Sequence, residues 1–231
     1  MDDCAALPLK RLELRGSADA GLWLAGPCDS GQVPERWRTL LSADEEERAN
    51  RFLRAGDRAL FSMARAMLRH LLSEATGIAA KSIAFCEGPF GKPFLAGARG
   101  PHFNVSHSGA FALIGLSGSR EIGVDIERMR DMGDAHLLAV RYFSDAEYSF
   151  LRGLEGEALL TAFYRIWTCK EAVLKALGAG IAEHLKDFSV ELTGDGYAIH
   201  PESSCFSPAL APVRAEPVLV PPGYAGCCAF A

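Results

Sequence analysis

Two helical patterns of similar length dominate this sequence, and each stops at a glycine. Leu60, Phe61, Ala64, Met67, Leu68, Leu71 and Leu72 recur at spacings of three and four, which predicts a helix over 58–76 ending at Gly77. Phe163, Ile166, Trp167, Leu174 and Leu177 predict a second over 159–177, stopped by Gly178 and Gly180. A helix apolar on one stripe must bury that stripe against another layer. The segments between supply strands: Gly21-Leu-Trp-Leu-Ala, 81–86, Phe111–Leu116, Ile122–Glu127, and most of 186–230 around a Pro-rich stretch at 201–222. Ser42, followed by acids, caps a helix start, and 35–41 and 144–152 read as shorter helices. Ser117-Gly-Ser-Arg-Glu reads as a turn, so 111–116 and 122–127 are expected to form a hairpin. The expectation is an α+β chain of two related halves, 1–118 and 119–231.

Length and charge narrow the function. A chain of 231 residues with 49% hydrophobic side chains can build a sizeable core. Its net charge of −5 argues against a nucleic-acid partner. No run approaches the roughly 18 apolar residues of a membrane span. Seven scattered cysteines without a C-x-x-C pair suggest reduced thiols, and with no secretory leader expected, a cytoplasmic protein. Cys169, beside a lysine on a helix, is expected to pack rather than react.

The chemistry concentrates in Ile122-Gly-Val-Asp-Ile-Glu. Alternation turns Ile122, Val124 and Ile126 to a core and Gly123, Asp125 and Glu127 to the opposite face. Two carboxylates about 7 Å apart on one face repel unless a cation lies between them. Gly123 leaves room there for a bulky group to approach the backbone. Solvent-facing acids are the alternative. On the second long helix Trp167, Glu171 and Lys175 share one stripe. A third carboxylate and a lysine at the core boundary suit a divalent cation with a phosphate-bearing substrate. Ser106 and His107 follow a short extended run. No nucleophile elbow surrounds them, so contact with a phosphate is the better functional reading. Lys92, stiffened by Gly91 and Pro93, can present a fixed cation. Segment 51–70 holds Arg51, Arg54, Arg58, Arg65 and Arg69 against one acid, Asp57, a local basic surplus.

In this order, Gly91-Lys-Pro, Asn104-Val-Ser-His-Ser-Gly, Gly123-Val-Asp-Ile-Glu and Trp167-Thr-Cys-Lys-Glu-Ala-Val-Leu-Lys resemble the Sfp-type 4′-phosphopantetheinyl transferases. The resemblance runs from about Leu41 to Leu192 and is weak over 1–40 and 193–231. It implies transfer of the 4′-phosphopantetheine arm of coenzyme A to a serine of an apo carrier protein of acyl, peptidyl or polyketide type, releasing 3′,5′-ADP. It implies two pseudo-symmetric halves in a monomer, each a long helix on a small, mostly antiparallel sheet, with the active site in the cleft between them. By the same resemblance Asp125, Glu127 and Glu171 would hold Mg²⁺, with Mn²⁺ as a substitute. Lys175 would contact the reacting phosphate, and Glu127 or Glu171 would act as base. Lys92 and Pro93 would hold the adenine, and Ser106 and His107 the phosphate groups. Arg51 and Arg58 are the arginines carried forward for coenzyme A. The sequence departs from relatives at Glu45 and Glu87, where basic residues stand in some of them. The competing readings are a non-catalytic homologue that binds coenzyme A or carrier protein, and a carboxylate-metal phosphoesterase.

Overall fold

The structure is a computed structural model that describes residues 9–15, 19–28, 33–97, 100–131, 133–204 and 206–231. The chain begins with β1 (Leu9–Leu12) and β2 (Ala20–Ala25), then α1 (Glu35–Arg38), α2 (Ala43–Asn50) and α3 (Ala55–Thr76). Strands β3 (Phe85–Glu87), β4 (Pro93–Leu95), β5 (His102–Ser108), β6 (Phe111–Ser117) and β7 (Ile122–Arg128) follow. Next come α4 (Ala135–Tyr142), α5 (Asp145–Leu151), α6 (Gly156–Leu177) and α7 (Ile181–His184). The chain closes with β8 (Phe188–Thr193), β9 (Gly196–Pro201), α8 (Ser207–Leu210), β10 (Arg214–Pro217) and β11 (Tyr224–Phe230).

The fold is α+β, and every strand pairing described is antiparallel. One sheet has the order β1-β2-β6-β5 and another β10-β11-β7, with two further two-stranded ribbons. Four layers result. Helix α3 packs on one face of the first sheet through Leu60, Met67, Leu68 and Leu72 against Phe103, Ala112 and Ile114. The other face of that sheet, Leu22, Leu24 and Leu113, meets Ile122, Val124 and Ile126 of the second sheet. Helix α6 covers the far face of the second sheet, where Ala172, Val173 and Ala176 join Cys227 and Ala229. Both long helices have 22 residues and end on glycines in the left-handed conformation, Gly77 (φ 74) and Gly178 (φ 64). The Ser42 cap is present as a reciprocal box with Glu45, and Ser144 and Glu147 repeat it at α5. Cys169 is fully buried among apolar neighbours, as expected for a packing residue.

Three local expectations change. β6 and β7 do not form a hairpin. β6 pairs with β2 and β5, while β7 pairs with β11. The turn at 117–121 instead carries the chain from one sheet to the other, and the two strands meet face to face. A Cβ at Gly115 would lie 2.7 Å from Ile122 Cδ1 and 2.8 Å from Val124 Cγ1. The strand expected at 81–86 begins only at Phe85, after a 3₁₀ turn over Ala80–Ser82. Arg69 Nη1 donates to the carbonyls of Ala80 (2.6 Å) and Ile83 (3.0 Å), which takes those acceptors out of a ladder. Helix α4 has no counterpart in the sequence reading. Its inward stripe, Ala135, Leu138, Ala139 and Tyr142, has helical spacing, but Leu137 and Val140 on the exposed face blur the pattern.

Candidate functional site

The site forms where the edge strands β5 and β7 run side by side, beneath α6. Every second residue of β5 reaches across. Asn104 Oδ1 accepts from the backbone N–H of Val124 (2.9 Å), Ser106 Oγ donates to Asp125 Oδ1 (2.7 Å), and Ser108 Oγ donates to Glu127 Oε2 (2.7 Å). Ser108 Oγ also accepts from the Arg128 N–H (3.1 Å), which fixes the direction of its own proton toward Glu127. The alternate residues Phe103 and Val105 pack toward α3, and His107 lies on that same side. Ser106 and His107 therefore face apart and cannot act as a nucleophile and its base.

Gly123 explains how α6 comes so close. A Cβ there would lie 2.0 Å from the Ala172 carbonyl oxygen and 2.3 Å from Ala176 N, so the bulky neighbour anticipated at this glycine is the helix itself. That contact lowers Glu171 and Lys175 onto the carboxylate face of β7. Lys175 Nζ lies 2.6 Å from Asp125 Oδ1, 3.2 Å from Glu171 Oε2 and 3.3 Å from Ser106 Oγ. Helix α6 is also held by Lys170, fully buried, whose ammonium donates to Glu147 Oε1 (2.9 Å) and to the carbonyls of Leu185 (2.6 Å) and Phe188 (2.5 Å).

Electrostatics follow from this packing. Burial raises Glu171, the Asp125 charge adds to the rise, and Lys175 offsets part of it. Burial likewise raises Glu127, opposed by the hydrogen bond from Ser108 and reinforced by Asp125. For Lys175 burial acts downward, but Asp125 and Glu171 outweigh it and hold the ammonium above its ordinary range, charged at any physiological pH. Desolvation lowers His107, and Lys175 adds to that, so its imidazole is disposed to be neutral.

Asp125 is 1% exposed, and both of its donors, Ser106 and Lys175, fall on Oδ1. Its Oδ2 is buried with no hydrogen-bond partner among the described residues. A carboxylate oxygen left that way is costly unless a cation completes it. The three carboxylates are not gathered into a ready cage: among the described residues no group of three His, Cys, Asp or Glu is placed to hold a metal on its own. Glu127 turns to Ser108, and Lys175 bridges Asp125 and Glu171. The donor set still fits a hard cation of the Mg²⁺ kind, which takes one or two carboxylates and fills its remaining positions with water and phosphate oxygens.

The other expected residues lie elsewhere. Lys92 Nζ donates to Glu121 Oε2 (2.6 Å) and the Ala176 carbonyl (3.0 Å), beside a cleft of roughly 540 Å³ that Pro93 also lines. Arg51 is exposed and paired to Glu47 (2.6 Å). Arg58 lines a separate cleft of roughly 410 Å³ with Arg38, Asn50 and Ser62. Glu45 is buried and serves structure: it accepts from Arg65 (2.9 Å) and Arg69 (2.6 Å), which removes both arginines from the basic surplus. The sequence reading passed over Ser108, Asn104, Glu121 and His102. The two-residue period of Asn104, Ser106 and Ser108 was the available signal for the first two.

Comparison with known proteins identifies the relatives of this chain. Residues 121–207 match the 4′-phosphopantetheinyl transferase superfamily, and residues 33–118 match the family described as 4′-phosphopantetheinyl transferase, N-terminal. The chain is 32% identical to a 4′-phosphopantetheinyl transferase of Bacillus subtilis, over 77% of each chain. It is 42% identical to the putative 4′-phosphopantetheinyl transferase slr0495 of Synechocystis sp., over 70% of this chain. That match spans 65% of the relative's length. A holo-(acyl-carrier-protein) synthase from Bacillus anthracis str. Ames, in complex with CoA (3′,5′-ADP), aligns with a TM-score of 0.40 and 21% identity, covering 48% of this chain and 93% of its own. The chain belongs to the 4′-phosphopantetheinyl transferase family. No described helix is long and apolar enough to cross a membrane.

Proposed function

We propose that this protein is a Mg²⁺-dependent 4′-phosphopantetheinyl transferase that moves the phosphopantetheine arm of coenzyme A to a serine of an apo carrier protein. The observation that carries the proposal is Asp125: buried, paired on one oxygen, orphaned on the other, and beside Glu127, Glu171 and Lys175. Asp125 would hold the metal through Oδ2 together with Glu171 or Glu127. Mg²⁺ would supply charge neutralisation at the pyrophosphate.

The chain's own groups supply the rest. The carrier serine oxygen forms a bond to the phosphorus next to pantetheine, the bond from that phosphorus to the bridging oxygen breaks, and 3′,5′-ADP leaves. Glu127 or Glu171, both raised by burial, takes the serine proton directly or through a water. Lys175 stays charged and meets the negative charge that develops on the phosphate oxygens. Lys92 and Pro93 border the cleft suited to the adenine end, Ser106 beside Asp125 serves the pyrophosphate, and His107, on the opposite face of β5, serves another phosphate of the donor. Arg51 and Arg58 stand further out as cations for the donor's 3′-phosphate. The carrier docks over the loop after β7, where Arg128 and Arg130 are exposed and can meet an acidic helix. Met132, which follows them, is outside the described residues. The working compartment is a reducing one such as the cytoplasm.

The test is coenzyme A, Mg²⁺ and apo carrier proteins of acyl, peptidyl and polyketide types, read by intact mass. Phosphopantetheine is expected on at least one carrier, with loss on chelation and recovery with Mg²⁺ or Mn²⁺. Asp125→Ala is expected to abolish transfer while its melting curve stays cooperative. No added mass on any carrier defeats the proposal, and normal transfer by Asp125→Ala defeats the metal assignment.

A further inference from the structure

The turn between β3 and β4 reaches over the seam and lands on the last turn of α6. Phe90 meets the loop after the helix: a Cβ at Gly180 would lie 3.2 Å from its ring. Lys92 caps the Ala176 carbonyl, one of the last-turn acceptors that a helix leaves without an internal partner. Ala176 directly follows Lys175. The ammonium is completed by Glu121 Oε2, and the second oxygen of Glu121 lies 2.9 Å from His102 Nδ1. The Lys92 side chain is only 18% exposed, so this is no loose surface pair. Burial acts to raise Glu121, but Lys92 and then His102 outweigh it and hold the carboxylate ionised.

The geometry points to Glu121 as a positioning residue for the nucleotide end of the donor, acting through Lys92. Two of the three ammonium donors of Lys92 are committed within the protein. Its service to a bound nucleotide is then to hold the β3–β4 turn, with Phe90 and Pro93, against α6 and keep the cleft at its width. Glu121 precedes the carboxylate strand by one residue, so one clasp joins the nucleotide cleft to the base of β7 and to the helix bearing Lys175. This inference rests on the assignment of the cleft to the adenine end of coenzyme A.

A double-mutant cycle on 3′,5′-ADP binding by calorimetry tests it, with Glu121→Ala, Lys92→Met and the pair. Melting curves check that each variant folds. Each single change is expected to weaken 3′,5′-ADP about tenfold, and the pair also about tenfold rather than about a hundredfold, because both remove the same clasp. In turnover the loss is expected in KM for coenzyme A more than in kcat, with partial recovery in Glu121→Gln, whose amide oxygen still accepts from Lys92. Additive effects, or a Glu121→Ala variant that binds like wild type, overturn the clasp. Failure of the wild-type protein to bind 3′,5′-ADP overturns the cleft assignment beneath it.

Discussion

Replacing Lys170 by Met removes a fully buried ammonium from three acceptors and exposes how α6 is held in place. The carbonyls of Leu185 and Phe188 lose their donor, at about 1 kcal/mol each or more. Glu147, 3% exposed, becomes a buried charge without its counter-ion, a loss of about 3–5 kcal/mol. The carboxylate keeps backbone donors from Ser144 (2.8 Å) and Val190 (2.7 Å), which moderates the damage. The net expectation is about 4–6 kcal/mol near neutral pH, or a fall in Tm of roughly 10–20 °C for a protein of this size. The pH dependence has a definite sign. Burial already raises Glu147, and loss of Lys170 raises it further. Below the unfolded carboxyl value of about 4.3 the group is protonated in both states and carries no penalty. The penalty grows as pH climbs from there toward the folded value. Thermal unfolding should therefore show a smaller deficit near about pH 5 than near about pH 8. The double variant Lys170→Met with Glu147→Leu should recover most of the loss. A deficit under about 2 kcal/mol at neutral pH, or one that deepens toward acid, refutes the reasoning.

Further expectations follow from single contacts. Gly123→Ala places a methyl against the backbone of α6 and should lower stability by about 1–3 kcal/mol while cutting kcat, because Glu171 and Lys175 ride on the displaced helix; melting and steady-state kinetics check both. Glu45→Ala leaves Arg69, 3% exposed, without its counter-ion and should reduce the urea midpoint by the equivalent of about 3–5 kcal/mol. Ser108→Ala removes a hydrogen bond that holds Glu127 down, so the acidic limb of the pH–rate profile should move to higher pH, with kcat down about tenfold.

The two long helices were legible because their stripes and terminal glycines are local: the buried residues of α3 and the left-handed Gly178 after α6 depend on neighbours three and four positions away. The two faces of β7 were legible for the same reason. Strand partnership was not. The turn at 117–121 resembles a hairpin connection, yet β11, about a hundred residues later, pairs along the whole of β7. Residue pairs at long separation carry no local pattern. The candidate site divided likewise. Asp125, Glu171 and Lys175 stand out by type and spacing, and the structure brings them together. The partner of Glu127, however, is Ser108, and that of Lys92 is Glu121. The arginine surplus of 51–70 misleads because Glu45, which consumes Arg65 and Arg69, precedes it and reads as an ordinary first-turn acid.

The hydrogen bonds from β7 to the side chains of Asn104 and Ser108 have a consequence for solubility. β5 and β7 are each the last strand of a sheet, and a bare strand edge invites another chain to add to it. Here side chains of β5 shield the edge of β7. The N–H groups of Val124 and Arg128, which a third strand would seek, are already spent on an amide and a hydroxyl. Side chains do this with a reach that backbone pairing lacks, so Asp125 and Glu127 keep their contacts with Ser106 and Ser108 without opening the edge of β7 to self-association.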